Sequence, residues 1–215
     1  MIHQFEQCLQ LGRLGEAFAV LALGARDDWQ VERAAPTKVE QSDLGIDYVG
    51  RFGIHRGTIE IKTDMVGAKT GRIALELEHC MLNGSVKEGW LRKTTAALLV
   101  VLLVERQSLE RIAAARSPMS PADHLFFGAM HVLAVPALRD LVETWREDRD
   151  CQMRAAKNGS YKTWNLCVPV RRVAESIAAV ASYRVTYGAR SGNLFAKAFD
   201  SPAQGVLCGG ARRCS

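Results

Sequence analysis

The stretch TIEIKTD, Thr58–Asp64, alternates apolar and polar residues and is the part of the chain from which its fold can be worked out. Ile59 and Ile61 fall on one side of an extended backbone, and Glu60 and Lys62 fall on the other. This alternation predicts a β-strand with one buried face. The polar face has two interpretations, either a solvent-exposed ion pair that contributes little or the reactive edge of an active site.

A second predicted strand, LGIDYVG (Leu44–Gly50), precedes this one and carries Asp47 on its polar side. The glycine-containing segment between the two strands predicts a hairpin turn centred near Gly53 and Ile54. In that register Asp47 lies opposite Glu60, or nearly so. Two carboxylates in such positions repel each other and lose solvation unless a cation lies between them. The other interpretation of Asp47 is a residue that supports the preceding turn.

Oxygen ligands of this kind suit a hard divalent cation such as Mg²⁺, with Mn²⁺ as a substitute. We predict that Asp47 and Glu60 bind it, together with a backbone carbonyl, that of Ile61. Lys62 lies two residues beyond Glu60 on the same face, where its ammonium reaches a water and a phosphate oxygen. A metal ion would lower the pKa of that water. This set of groups suits phosphodiester hydrolysis.

The first 25 residues predict a helix, because Leu11, Leu14 and Phe18 follow helical spacing. Glu16 lies off this apolar stripe. It is therefore either a residue of the proposed site or the partner of Arg13 in an i,i+3 salt bridge.

Periodicity and turn residues predict the remaining elements. Strands are predicted at WQVERAA (29–35), RIALELE (72–78), AALLVVLLVE (96–105), HLFFGAMHVLAV (124–135) and YKTWNLCVPV (161–170). Helices are predicted at PALRDLVETWRED (136–148) and RRVAESIAAVASYR (171–184), a short helix or loop at 84–94, and an irregular segment at 106–122, where Pro118 and Pro121 break any helix. The order of elements predicts an α/β fold with a mixed central sheet. Glu76 and Glu78 then either add a ligand or form the solvated face of their strand.

Asp47, followed by Glu60-Ile61-Lys62 and preceded by a helix with Glu16, resembles the PD-(D/E)xK nuclease superfamily. The layout is similar to that of archaeal-type Holliday-junction resolvases and of phage and plasmid nucleases. The resemblance implies a restriction-endonuclease-like αβββαβ core over about residues 10–105, with strand and helix additions over 106–199. It also implies that Asp47 and Glu60 are metal ligands, Lys62 the catalytic lysine and Glu16 an accessory ligand. The family's proline before the aspartate is Ile46 here.

The resemblance implies a divalent-metal-dependent endonuclease that hydrolyses DNA, and a homodimer as a candidate assembly. The alternative is a catalytically inactive nucleic-acid-binding or protein-interaction module on the same fold. From residue 151 onward the chain has ten Lys or Arg and two acidic residues, which is compatible with a polyanionic partner. The candidate phosphate contacts are Lys69, Arg72, Lys162, Arg171 and Arg172. Their other interpretations are turn residues for the first two and ordinary basic surface for the rest.

The length of 215 residues suits one domain over 1–199, followed by a small, glycine-rich and basic tail over 200–215 that we expect to be disordered. Six cysteines without a CxxC pair are typical of reduced thiols. The longest apolar run has nine residues, too few to cross a bilayer, and the N-terminus does not read as a secretory signal. We therefore expect a cytoplasmic protein without a membrane partner. The absence of a P-loop motif predicts no nucleotide cofactor.

Overall fold

The computed structural model describes residues 2–24, 26–27, 29–34, 37, 44–52, 55–114, 126–158, 161–188 and 193–198. Six helices lie in these ranges: α1 (Ile2–Gly24), α2 (Gly67–Thr70), α3 (Trp90–Lys93), α4 (Arg106–Ala114), α5 (Val135–Glu147) and α6 (Val170–Ala174). Eleven strands accompany them: β1 (Trp29–Ala34), β2 (Tyr48–Phe52), β3 (His55–Asp64), β4 (Arg72–Met81), β5 (Val86–Glu88), β6 (Leu98–Val104), β7 (Phe126–Ala134), β8 (Gln152–Asn158), β9 (Tyr161–Pro169), β10 (Ala179–Gly188) and β11 (Asn193–Ala198).

The strands form two sheets. The large sheet has the order β1-β2-β3-β6-β7-β10-β11, and the small sheet has the order β5-β4-β9-β8. In the large sheet β3 and β6 pair in parallel, whereas the other neighbours pair antiparallel. The small sheet is antiparallel throughout. The expectation of an α/β fold with a mixed central sheet is confirmed.

The two faces of the large sheet have different neighbours. One face, which includes Ile59 and Ile61, packs against Leu11 and Phe18 of α1. The other face packs Leu99, Val101 and Leu103 of β6 against the apolar face of the small sheet and against α5; the small sheet contributes Ile73, Leu75, Leu77, Leu166 and Val168. Glu60 and Lys62 are in register with Leu99 and Val101. The polar face of TIEIKTD is therefore turned toward a second sheet.

The predicted hairpin forms with the expected register. Phe52 pairs with His55 and Tyr48 pairs with Ile59. These pairs agree with the predicted position of the turn, although Gly53 and Ile54 themselves lie outside the described residues. The first arm is shorter than predicted, because regular pairing begins at Tyr48 rather than at Leu44.

Between β3 and β6 the chain passes through α2, β4, β5 and the four-residue helix α3. The segment 84–94, predicted as a short helix or loop, forms helix α3 over Trp90–Lys93, preceded by the short strand β5. The alternating Ile73, Leu75 and Leu77 of RIALELE do form a strand, as predicted, but β3 already has β2 and β6 as neighbours. β4 therefore pairs with β9 in a second sheet, not in a single central one.

Two further predictions are wrong. Residues 106–114 form helix α4, because both prolines lie beyond its end; Leu109 is buried and Arg106 pairs with Glu110 one turn later at 2.6 Å. The remaining residues to 122 lie outside the described part.

The helix expected over 171–184 ends at Ala174, and β10 follows, inserted between β7 and β11. β8 and β11 were not predicted.

Other expectations have simpler outcomes. Cys8, Cys80, Cys151 and Cys167 are free thiols, as predicted. The expected disordered tail at 200–215 lies outside the described residues. Among the helices that the structure describes, none is both long and apolar enough to cross a membrane.

Candidate active site

Asp47 lies directly before β2 and extends the hairpin with its side chain. Its backbone N–H donates to the carbonyl of Ile59 at 2.9 Å, and its Oδ2 accepts the N–H of Ile61 at 2.7 Å. The Asp47 carboxylate thus accepts the backbone N–H of β3 at the point where the backbone of the first arm diverges from β3. The paired register ends at Tyr48 and Ile59, so Asp47 is the next residue on the first arm and Glu60 the next residue on β3, which is close to the predicted arrangement. The Ile61 carbonyl as a metal ligand stays a prediction.

Glu60 is almost completely buried, with 2% of its surface exposed. Its Oε1 lies 2.6 Å from Nζ of Lys62, and the Thr94 hydroxyl beside the carboxylate lowers its pKa as a hydrogen-bond donor, although the buried Oε2 has no hydrogen bond of regular geometry within the described residues. Gly45 packs directly on this oxygen: a Cβ there would lie 2.9 Å from Oε2, and its φ of +59° also favours glycine. The neighbouring Thr94 hydroxyl donates to the Gly45 carbonyl at 2.9 Å.

The carboxylates and Lys62 influence one another strongly. Burial raises the pKa of Glu60, and the nearby Lys62 ammonium opposes that rise. Burial would lower the pKa of Lys62, but Glu60 first, and then Asp47 and Glu16, raise it above its ordinary value. The Lys62 side chain is 43% exposed, so the lysine that pairs with buried Glu60 is also open to solvent.

Glu16 joins this cluster from α1. Burial raises its pKa, and the negative charge of Asp47 adds to the rise. Within the described part of the chain Glu16 makes no hydrogen bond or ion pair, so the alternative salt bridge with Arg13 is not formed. A close approach of α1 to β3 brings it here: Thr63 donates to the Gly12 carbonyl at 3.0 Å, and a Cβ on Gly15 would overlap the Thr63 side chain. The structure therefore brings all four predicted residues together.

The donors fit a hard divalent cation by their chemistry, since they are carboxylate oxygens and one of them, Oε2 of Glu60, is buried without a partner. Their arrangement is less complete. No three His, Cys, Asp or Glu side chains among the described residues are placed to hold a metal ion. Lys62 takes one oxygen of Glu60, and a peptide N–H takes one oxygen of Asp47. In this arrangement the ammonium supplies the counter-charge of the cluster.

Sequence reasoning missed two residues that position the site. Asp64 accepts the N–H groups of Val66 at 2.9 Å and Gly67 at 2.6 Å, and thereby shapes the turn into α2. An aspartate whose side chain accepts the N–H two residues further on forms a recognisable Asx-turn. Arg139 of α5 donates to the carbonyls of Leu91, Arg92 and Thr94. No local pattern indicates this role, because Arg139 lies 45 residues from Thr94.

The five candidate phosphate contacts do not form one surface. Arg72 donates to the carbonyls of Asp150 and Cys167 at 2.6 and 3.2 Å. Arg172 pairs with Asp148 at 3.1 Å. These two arginines cross-link the fold, which favours a structural role for both. The other three candidates, Lys69, Arg171 and Lys162, are exposed, and the Lys162 ammonium lies 4.6 Å from the centroid of the Trp164 ring.

Among the exposed candidates, Lys162 lies apart from Lys69 and Arg171 along the small sheet. Arg72, near Lys69, pairs with Pro169, two residues before Arg171, at one end of β9, whereas Cys80 pairs with Lys162 at the other end. Lys162 is therefore not part of one contiguous strip with Lys69 and Arg171.

Comparisons of the chain with models of known protein families, with curated proteins and with solved structures give no match. The geometry of Glu16, Asp47, Glu60 and Lys62 is thus the basis on which a function can be proposed.

Proposed function

We propose that this protein is a divalent-metal-dependent endonuclease that hydrolyses DNA phosphodiester bonds. One observation carries the proposal. Glu16 of α1 and Asp47 before β2 converge with Glu60 and Lys62 of β3, so that three carboxylates influence one ammonium. The same four residues carry the resemblance to the PD-(D/E)xK nucleases.

The burial of Glu60 supports a functional role over a structural one. Its side chain is 3% exposed, so the interpretation as a solvent-exposed ion pair with Lys62 does not apply. A buried carboxylate with one oxygen unpaired is destabilising, and such groups occur mainly where a ligand or a reaction uses them.

Each residue has a distinct proposed role. Asp47 and Glu60, with the Ile61 carbonyl, hold Mg²⁺ or Mn²⁺, and Glu16 orients a ligand from α1. A bound metal would supply Lewis acidity toward water and phosphate. Lys62 orients the attacking water and stabilises negative charge on the phosphate. In the metal-free site the neighbouring carboxylates raise the pKa of Lys62, which favours a cationic side chain beside the phosphate.

One observation favours the alternative, an inactive binding or interaction module. Within the described residues the acidic groups are not preorganised as a three-ligand site. Under this alternative the protein binds its partner without cleavage at any concentration of divalent metal.

The test is a cleavage assay with supercoiled plasmid and the full chain in Mg²⁺ or Mn²⁺. Wild-type protein should nick the plasmid, EDTA should stop it, and Lys62→Ala should lower the rate about 100-fold or more. Lys87→Ala is the matched control, because Lys87 is an exposed lysine on β5 outside the proposed site. Equal rates for Lys62→Ala and wild type, with both variants folded by circular dichroism, would refute the proposal.

A further inference from the structure

A cleft of about 330 Å³ opens between the two sheets, and Lys62 lines it. β3 and β6 form one wall, β4 and β9 form the other, and Trp90 of α3 lies at the side. The volume is near the lower limit of pockets that take small molecules, about 300 Å³. A double helix, whose major groove alone is about 12 Å wide, does not enter a space of this size. A group the size of one nucleotide does fit into this space.

An aromatic ring lies beside the proposed catalytic lysine. Nζ of Lys62 is 5.5 Å from the centroid of the Trp90 ring. The backbone N–H of Trp90 donates to Oε1 of Glu76 at 3.1 Å. Gly89 allows α3 to lie directly on β4, since a Cβ there would come within 2.6 Å of the Glu76 carbonyl oxygen. Trp90 is thus held in place, and an aromatic face in such a position can stack on a base.

Asn165 of β9 presents a hydrogen-bond acceptor to the same cleft. Thr163 donates its hydroxyl proton to the carbonyl of Ala156 at 3.3 Å, so its oxygen accepts from the Asn165 amide nitrogen at 3.2 Å. This pairing assigns the Asn165 amide orientation and leaves its Oδ1 without a partner in the described part of the chain. A fixed amide oxygen can accept from the amino group or ring N–H of a base.

The charges in the cleft separate a phosphate end from a base end. Of the described residues that line it, only Lys62 is cationic. The two acidic residues there are already engaged: Asp64 accepts backbone N–H groups of its turn, and Glu76 accepts from Trp90 and pairs with His79 at 2.8 Å. Their negative charge disfavours a phosphate away from Lys62, whereas an uncharged base meets no such penalty.

We propose that this cleft receives one unpaired nucleotide, with its base against Trp90 and its phosphate at Lys62. The protein then acts on single-stranded or locally unpaired DNA rather than on intact duplex. The position of the phosphate rests on the proposed nuclease function. The binding of the base does not, because Trp90 and Asn165 need no metal.

The test is fluorescence anisotropy of the full chain in EDTA with a labelled thymidine oligonucleotide and with a labelled blunt hairpin duplex. The single strand should bind about tenfold more tightly than the duplex, and Trp90→Ala should weaken single-strand binding about tenfold, as expected for loss of one stacked base. Trp90→Phe should keep most of the affinity. Trp164→Ala is the matched control, because Lys162 lies over that ring as Lys62 lies over Trp90, but Trp164 is not part of the cleft.

Equal weakening by Trp90→Ala and Trp164→Ala, or tighter binding of the duplex, would overturn the inference. Should Trp90→Ala fail to fold, Asn165→Leu, which removes the acceptor oxygen, replaces it, and unchanged single-strand affinity in that variant also overturns the inference. The two proposals fail separately. Trp90-dependent binding without any metal-dependent cleavage refutes the nuclease alone, whereas Lys62-dependent cleavage without a Trp90 effect on binding refutes the nucleotide cleft alone.

Discussion

The role of Glu60 depends on what surrounds its side chain in the folded protein. An alternating strand normally turns its polar face to water, where an ion pair such as Glu60–Lys62 contributes little. Here that face meets a second sheet, so Glu60 loses its hydration and keeps Lys62 as its partner at 2.6 Å. The resulting rise in the pKa of Glu60 is a cost to the folded state that a ligand or a metal could relieve.

His131 is a second buried titratable residue, and it should make stability depend on pH. It is 4% exposed, with Nδ1 at 2.9 Å from the Ser182 hydroxyl. Burial lowers its pKa from 6.5 to about 4. Because the folded pKa is the lower one, the unfolded chain binds the proton first as the pH falls. The stabilisation present above pH 6.5 is therefore lost as the pH falls toward 4.

The expected loss from His131 is about 3 kcal/mol in the free energy of unfolding between pH 7 and pH 4. Urea denaturation of wild type and His131→Gln at a series of pH values measures it. Glutamine does not titrate, so between pH 7 and pH 4 His131→Gln should lose less free energy of unfolding than wild type. The difference should equal the expected loss from His131. Parallel pH curves for the two proteins would show that His131 does not contribute.

At the level of elements, the contact between α1 and β3 decides where Glu16 lies. Gly15 faces Thr63 so closely that no Cβ fits, whereas a Cβ on Gly12 would meet nothing within 4 Å. Both glycines belong to the same helix, in which alanine is favoured over glycine by about 1 kcal/mol. Comparing alanine substitutions at these two glycines therefore separates the effect of helix propensity from the effect of packing.

Gly12→Ala should stabilise the protein by up to about 1 kcal/mol. Gly15→Ala should destabilise it by about 1–3 kcal/mol, as overpacking does, and should also lower cleavage because α1 and Glu16 shift away from β3. Thermal unfolding and the plasmid assay check both. Similar stability of the two variants would contradict the close packing of α1 on β3.

α5 positions the loop over Glu60 through Arg139. Its guanidinium caps the carbonyl end of α3, including the carbonyl of Thr94, whose side chain packs beside Glu60. Arg139→Met should cost about 2 kcal/mol, since it leaves partly buried carbonyls without donors. It should also reduce cleavage.

Arg146→Met is the control for Arg139→Met. Arg146 lies on the same helix, and within the described part of the chain its side chain makes one exposed pair, with Glu143 at 3.4 Å. Its loss should change the free energy of unfolding by less than about 1 kcal/mol, as is usual for surface pairs. Equal effects of both substitutions, measured by chemical denaturation, would show that the cap on α3 is unimportant.

For the molecule as a whole, the two sheets are built from strands that are far apart in the chain. β4 pairs with β9, and β6 lies between β3 and β7. The expected core over about 10–105 and its extension over 106–199 therefore share both sheets. The cleft beside Lys62 exists because the later half of the chain supplies its β9 wall.

Metal binding should be visible as a change in global stability. A metal at about 100 times its Kd adds about 2.7 kcal/mol to the free energy of unfolding, which raises the Tm of a chain of this size by about 5–10 °C. Differential scanning fluorimetry with Mg²⁺ and Mn²⁺ should show the rise in wild type and lose it in Asp47→Asn and Glu60→Gln. The same rise in all three proteins would place the metal elsewhere.

The sequence alone determined the local parts of this protein. Helix α1, the β2–β3 hairpin with Asp47 opposite Glu60, and the buried strand β6 all follow from apolar spacing and turn residues, which act over a few residues. Only the tertiary structure decided that β4 joins a second sheet, that residues 179–184 continue as a strand, and that Arg72 and Arg172 are already paired. Alternation shows that one face of a strand is buried, but not what covers the other. The burial of Glu60, the direction of Lys62 and the cleft with Trp90 depend on long-range pairing, and no local pattern encodes it.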